Sequence, residues 1–304
     1  MHAARTNAAE IDKPTLLVYG NCQAGAVSAI FGADPALAEA YCVHYLPSFD
    51  DRVSGSRNLA PGVIGRTVLL LEQFDANPFP YRDQLPPHCA KIVFPSVDLN
   101  LLWPLRCANP LNDQPTDATP WGHYPEGDRI IIDCVQRGLT ADETIAHYRG
   151  HAHEHLPNLN RYAEMEKARL QAREAKCDVV MSDFVFERLS SDRLFWTANH
   201  PTSVSLRELC GRLLAAAEPA LPESCFVDID RSLTMFPQEG PLGFLSVPIH
   251  PLIVEHFNLR WYGPGEGTDY GLRVAPVTYN DYFYGMASTA IERLASREAV
   301  QTAT

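Results

Sequence analysis

Uninterrupted apolar runs, without alternation of apolar and polar residues, mark the strands that the sequence predicts. The clearest run is Thr67–Leu71, and further strands are predicted at Thr15–Tyr19, Tyr41–Leu46 and Lys91–Phe94. Strands of this kind are typical of a parallel sheet covered on both faces. Ala24–Phe31 predicts a helix after the first strand. We therefore predict an α/β fold with a central, mainly parallel sheet flanked by helices and a site at the carboxyl ends of the strands.

The pattern changes after residue 104, where Pro, Asn and Asp predict a long loop over Leu105–Tyr124. Helices are predicted over residues 128–136, 141–148, 159–176, 203–217 and 282–296, with further short elements at 178–186 and 192–197. We expect one α/β domain over residues 14–297, with a helical insertion or cap at roughly 105–178. The tails would be residues 1–13, which we expect to be disordered, and residues 298–304.

Charge and composition argue against several classes of function. The net charge of -12 argues against nucleic acid, which requires a basic surface. The first residues contain no apolar signal segment, and no apolar run approaches membrane-spanning length, so we expect a cytoplasmic protein without membrane insertion. In the cytoplasm we expect the eight cysteines to be free thiols. The sequence has no CxxC pair of the kind that binds zinc.

The turn between the first strand and the first helix reads GNCQAG, with Cys22 at the junction. The spacing of Gly20 and Gly25 resembles a P-loop, but Ala26 and Val27 stand where that motif needs Lys and Ser or Thr. A dinucleotide fingerprint would need glycine in place of Cys22. The third interpretation is a nucleophile, because a helix N-terminus favours a thiolate and its N–H groups can stabilise an oxyanion. A buried packing thiol is the alternative.

A thiol nucleophile needs a base. Among eleven histidines, His200 and His250 both precede proline. His200 ends a loop and comes just before a helix that Thr202 or Ser203 could cap, which favours it as the base. Asn199 beside it could orient a ring or donate to an oxyanion.

A second histidine group lies in AHYRGHAHEH, where His147, His151 and His155 would share one helix face. A transition metal could bind such a face, but a solvated surface is the interpretation we favour, and we predict no metal site. The basic group Lys167, Arg169 and Arg173 is likewise typical of an exposed helix face, although it could also meet phosphates.

GNCQA, FPSVDLNLLWPL and LFWTANHPTSVSLREL together resemble the WcbI-type capsular polysaccharide biosynthesis acetyltransferases, from about Leu16 to Trp261. The resemblance implies a bacterial cytoplasmic enzyme that binds coenzyme A and O-acetylates a capsule sugar. It also suggests a sheet distantly similar to serine esterases of the GDSL kind. Gly20-Asn21-Cys22 would replace their Gly-Asp-Ser, and their Asp-x-x-His pair is missing before Ser203.

These inferences give a set of candidate residues. Cys22 would accept the acetyl group from acetyl-CoA, and His200 would deprotonate the acceptor hydroxyl. In a direct route, Cys22 would only shape the pocket. Gln23, Gln73 and Asn199 are the candidates for oxyanion binding or positioning. Charge and aromatic character near the predicted cap suggest Trp103, Arg106 and Lys167 as contacts of coenzyme A, together with Asn21.

Two other functions remain open. A cysteine-based esterase or thioesterase would cleave acyl substrates without coenzyme A. A non-catalytic module that binds coenzyme A or a nucleotide would be insensitive to loss of Cys22. For the transferase, the acceptor would be a sugar, a nucleotide-sugar or an oligosaccharide.

Overall fold

The computed structural model describes residues 13–49, 58–74, 77–113, 116, 121–222, 225–263 and 279–302. The strands are β1 (Thr15–Gly20), β2 (Cys42–Pro47), β3 (Thr67–Phe74), β4 (Ala90–Pro95), β5 (Arg106–Ala108), β6 (Glu126–Asp128), β7 (Phe195–Thr197) and β8 (His200–Pro201). The helices are α1 (Cys22–Ala33), α2 (Pro35–Ala40), α3 (Pro61–Gly65), α4 (Arg129–Gln136), α5 (Ala141–His155), α6 (Leu159–Glu174), α7 (Ser182–Arg188), α8 (Ser203–Ala217), α9 (Ile229–Leu233), α10 (Pro251–His256) and α11 (Tyr279–Thr302).

The chain forms two compact units, each assembled from separate stretches of sequence. The first unit comprises Met1–Asp98, Ala168–Arg188 and Asn199–Gly243, and the second comprises Leu99–Lys167, Leu189–Ala198 and Phe244–Thr304. The single domain expected over residues 14–297, with an insertion at 105–178, stays a prediction.

A parallel sheet in the order β2-β1-β3-β4 forms the centre of the first unit. On one side, α1 packs against β1 and β2, and α8 packs against β4 and α1. An apolar cluster joins Leu17 and Tyr19 of β1 to Leu70 of β3 and Ile64 of α3. Because β1 is buried along its whole length, it needs no polar face, which explains its uninterrupted apolar run. The predicted α/β fold, a parallel sheet flanked by helices, is confirmed.

Two sequence predictions need correction. The third strand does not stop at Leu71 but continues through Glu72 and Gln73 to Phe74, because these residues pair with Val93–Pro95 of β4. The predicted loop over Leu105–Tyr124 contains β5, which pairs antiparallel with β6. Both predictions were wrong because polar residues suggested the end of a strand or a loop. In β3 the polar side chains of Glu72 and Gln73 are hydrogen-bonded inside the protein, and β5 is an exposed strand.

Helices dominate the second unit, where α4, α5 and α11 pack against one another. Helix α5 extends to His155, beyond the predicted end at 148, and a capping box between Thr140 and Glu143 fixes its start. Helix α11 is also longer than the predicted 282–296. Within the described ranges, none of the helices has both the length and the hydropathy that crossing a membrane requires.

Candidate active site at the start of the first helix

Cys22 is the first residue of α1, directly after the carboxyl end of β1, and it is partly exposed. Asn21 caps the helix: its side-chain Oδ1 accepts a hydrogen bond from the Gln23 amide at 2.9 Å. The sequence prediction of a cysteine at a strand-to-helix turn is therefore confirmed, with the helix starting two residues earlier than expected.

Hydrogen bonds join Asn21, Gln73 and Gln23 in a closed ring around the Cys22 main chain. The Asn21 amide donates to Gln73 Oε1 at 2.8 Å. Gln73 Nε2 donates to Gln23 Oε1 at 3.2 Å, and the Gln23 amide returns to Asn21 Oδ1. Since Asn21 and Gln23 are the neighbours of Cys22, the ring fixes the chain on both sides of the thiol.

The Gln23 side chain has all of its hydrogen-bonding capacity occupied. Nε2 donates to the carbonyl oxygens of Val97 at 2.9 Å and Asn199 at 2.8 Å, while Oε1 accepts from the Val97 amide as well as from Gln73. A carboxamide offers two N–H donors and two acceptor sites, and these four bonds use them all. The side chain is also fully buried. This geometry favours a positioning role for Gln23 over direct contact with an oxyanion.

Close packing explains both glycines of GNCQAG. A Cβ on Gly20, whose φ is +153°, would lie 2.5 Å from the Gln73 side chain. A Cβ on Gly25 would lie 3.2 Å from the Tyr45 ring. The Tyr45 hydroxyl donates to the carbonyl oxygens of Gly20 and Asn21 at 3.2 and 3.0 Å. The glycines serve the approach of Gln73 and Tyr45 to the turn.

The loop after β4 contributes residues that the sequence interpretation did not single out. Asn21 Nδ2 donates to Ser96 Oγ at 3.3 Å, and the neighbouring Val97 holds Gln23. Arg173 and Arg169 both form ion pairs with Asp98. In the sequence these residues belong to FPSVDLNLLWPL, one of the stretches that carry the family resemblance.

His200 lies in β8 and is buried, and this short strand packs against α1. The bond from Gln23 to the Asn199 carbonyl fastens the chain directly before His200 to the turn that carries Cys22. Thr202 occupies the N-cap position of α8, one of the two caps predicted. The structure thus brings Asn21, Gln23, Gln73 and Asn199 into one network in the first unit.

His250, the other candidate base, is the N-cap of α10, and its Nδ1 accepts a hydrogen bond from the Leu252 amide at 3.1 Å. Burial lowers the pKa of His250 to about 4, so the ring is neutral near pH 7. With Nδ1 acting as an acceptor, the proton of the neutral ring is on Nε2. Neither nitrogen is then available as a base, which favours His200.

Trp103 and Arg106 line a cavity in the second unit together with Tyr148, His250 and Phe283. The Trp103 indole N–H is committed to the carbonyl oxygens of Val247 and Pro248, so the ring offers its apolar surface. Arg106 is exposed and pairs with Glu126. Lys167 is exposed on α6 and is not among the residues that line this cavity.

The histidine cluster of α5 is built as the helical spacing predicts. The rings of His147 and His151 stack with centroids 4.5 Å apart, and the His155 ring lies 6.5 Å from that of His147. Among the described residues, no group of three or more His, Cys, Asp or Glu side chains is arranged to hold a metal ion.

Comparison with known proteins finds a matching family and a similar fold. The family model described as polysaccharide biosynthesis enzyme WcbI matches residues 15–221, more than half of the chain. A solved structure of WcbI, described as a novel polysaccharide biosynthesis enzyme, is similar in fold, with a TM-score of 0.64 at 18% sequence identity. The match covers 96% of this chain and 98% of that one, and the structure is described as the native protein without a disulfide bond between coenzyme A and a cysteine. A comparison with curated proteins finds no match.

Proposed function

This chain belongs to the WcbI family of polysaccharide biosynthesis enzymes, and we propose that it is an O-acetyltransferase that moves an acetyl group from acetyl-CoA to a sugar hydroxyl. The observation that carries the proposal is the hydrogen-bonded ring of Asn21, Gln73 and Gln23, which holds Cys22 at the start of α1.

Coenzyme A is the expected acyl carrier. The description of the similar WcbI structure names a disulfide bond between coenzyme A and a cysteine, as a bond that is not present in that structure. A disulfide requires the sulfur of coenzyme A to reach a cysteine thiol. We assign the corresponding role here to Cys22, which is partly exposed at a helix start, where a thiolate is stabilised.

The reaction we propose has two steps. As the Cys22 sulfur attacks the acetyl carbonyl carbon, His200 takes up the thiol proton and the bond from that carbon to the sulfur of coenzyme A breaks; the leaving thiolate then takes this proton from His200. A sugar hydroxyl then attacks the acetyl-Cys22 thioester and transfers its proton to His200. The Cys22 sulfur leaves as the ester forms and takes up that proton. N–H groups of the first turn of α1 would stabilise the oxyanion in both steps.

Coenzyme A has apolar and anionic parts, and we propose Trp103 and Arg106, on their aromatic character and charge, as candidate contacts. Both line the cavity of the second unit. Asn21 is the proposed polar contact next to the thiol, and Lys167 is proposed, on its charge, as a phosphate contact. A capsule precursor in the cytoplasm is the proposed setting, because acetyl-CoA is a cytoplasmic metabolite.

Incubation with acetyl-CoA, followed by a panel of sugars and nucleotide-sugars, tests the proposal. We expect coenzyme A to raise the melting temperature, and release of its thiol to accelerate only when an acceptor is present. Acyl hydrolysis without coenzyme A would indicate an esterase instead. Binding of coenzyme A that survives in Cys22→Ala, with no transfer to any acceptor in the wild-type protein, would indicate a binding module.

A further inference from the structure

We infer that Gln23 is a positioning residue that holds the Cys22 thiol and the His200 imidazole in one fixed geometry. Its carboxamide joins the start of α1 to the main chain directly before β8. The inference rests on the proposed function, because it assumes that the thiol and the imidazole act together.

The contacts of one side chain carry this inference. The Gln23 carboxamide bonds to Gln73 in β3, to both main-chain polar groups of Val97 after β4, and to the Asn199 carbonyl. Three separate stretches of the first unit therefore converge on this carboxamide. A fully buried group with every bond satisfied is rigid, because moving it would leave several polar groups without partners in a desolvated site.

The path from this carboxamide to the proposed reacting groups is short. Cys22 is the residue before Gln23, and His200 is the residue after Asn199. The Gln23 main chain is fixed as well, since its amide donates to Asn21 Oδ1. A change in the Gln23 side chain would therefore alter the geometry between the thiol and the imidazole without altering the chemistry of either group.

Gln23→Asn is the sharpest variant, because it keeps a carboxamide but is one methylene shorter and cannot reach Gln73, Val97 and Asn199 together. Tyr41→Phe is the matched control. It removes one long-range hydrogen bond of the first unit, from the Tyr41 hydroxyl to the Ala220 carbonyl, and leaves every contact of Gln23 in place. Both variants are combined with His200→Ala to give double-mutant cycles.

The measured quantity is the rate of Cys22 alkylation by iodoacetamide between about pH 5 and pH 9, a range that spans imidazole and thiol ionisation. We expect His200→Ala to slow alkylation near neutral pH and to change the shape of the pH profile. Gln23→Asn should change the profile in the same direction, by on the order of tenfold in rate. In the His200→Ala background Gln23→Asn should have no further effect, and Tyr41→Phe should leave the profile unchanged.

Two failures are distinguishable. If His200→Ala changes the profile but the effect of Gln23→Asn simply adds to it, Gln23 contributes to stability alone and the inference is wrong while the proposed function stands. If His200→Ala leaves the profile unchanged, the imidazole does not act on the thiol and both fail. Should Gln23→Asn not fold, judged by circular dichroism, Gln23→Glu takes its place, because it keeps the chain length and one acceptor oxygen but loses both donors.

Discussion

Gly20 lies so close to Gln73 that a Cβ atom on the glycine would come within 2.5 Å of the Gln73 Cβ and Oε1 atoms. The same Cβ would lie 2.8 Å from the Cβ of Ala24. Because Gln73 Oε1 accepts the Asn21 amide, this close approach allows β3 to support the turn that carries Cys22. The glycine before Asn21 is therefore required by packing.

Gly20→Ala should destabilise the protein and lower the reactivity of Cys22 together. The Gln73 Cβ is fixed by its own strand, so the main chain has to move, at a cost of roughly 1–3 kcal/mol from overpacking and backbone strain. Denaturant unfolding gives the change in free energy, and alkylation of Cys22 below the unfolding midpoint gives the change in reactivity.

Gly211→Ala is the control for this variant. Gly211 is exposed within α8, its backbone is helical, and a Cβ there would meet nothing within 4 Å. Alanine in such a position should raise the free energy of unfolding by up to about 1 kcal/mol. Equal loss of stability in both variants would contradict the packing argument for Gly20.

The two candidate bases should separate in steady-state kinetics. His200→Ala should reduce kcat by roughly 100-fold or more, the usual contribution of a general base, while coenzyme A still binds. His250→Asn keeps an N-cap acceptor for the Leu252 amide. Because His250 lines the cavity assigned to coenzyme A, its replacement should act on KM for acetyl-CoA. A loss of kcat at His250 with none at His200 would reverse the assignment.

Asp128 makes the stability of the protein depend on pH. Desolvation raises the pKa of this buried carboxyl to about 6, against the opposing hydrogen bonds from the Ile131 amide, Tyr148 and the Ile130 amide and the charge of Arg129. The folded state therefore holds the proton more tightly than the unfolded state, whose carboxyl titrates near pH 4. As pH rises from about 4 to about 6, the contribution of Asp128 to the free energy of unfolding therefore falls by up to roughly 3 kcal/mol.

Asp128→Asn should remove this loss. The free energy of unfolding of the variant, minus that of the wild-type protein, should grow from about pH 4 to about pH 6 and then level off. The free energies of variant and wild type are subtracted because His250 affects stability in the opposite direction. The lowered pKa of His250 makes the protein less stable as pH falls from about 6.5 to about 4. Asp133→Asn, at an exposed position in α4, the helix that Asp128 caps, should show no such trend. A flat difference for Asp128→Asn would refute the prediction.

Local patterns made the sheet and the Cys22 turn predictable. Strands buried on both faces are recognisable as apolar runs. Because the first strand ends in glycine before an Ala-rich helix, the position of Cys22 between them could be predicted without the rest of the fold. Gln73, a candidate for oxyanion binding or positioning, lies within β3, because the strand continues beyond its apolar run.

The partners of this turn depend on strand order, which a local pattern does not contain. Val97 reaches Gln23 because β3 and β4 pair, and Asn199 reaches it across 176 residues of sequence. The division into two units could not be predicted from local patterns either, because stretches of the second unit alternate along the chain with stretches of the first. The lowered pKa of His250 depends on burial and could not be read from a histidine before proline.

Cys22→Ser separates the covalent route from the direct one. A serine hydroxyl is a poor acyl acceptor unless a base activates it, whereas a thiolate is a strong one, so a covalent route should lose most of its rate in this variant. The ring of Asn21, Gln73 and Gln23 does not involve the Cys22 side chain, so the turn should keep its geometry. Equal melting temperatures and unchanged binding of coenzyme A would confirm that only the nucleophile was altered.

Mass spectrometry supplies the second half of this test. Wild-type protein mixed with acetyl-CoA alone and rapidly quenched should carry one acetyl group on the peptide that contains Cys22, and Cys22→Ser should not. If the sugar attacks acetyl-CoA directly, serine is tolerated because it is close to cysteine in shape. An active Cys22→Ser enzyme, with no acetyl group on the quenched wild-type peptide, would rule out the covalent route and leave proton transfer at His200 as the chemistry of the site.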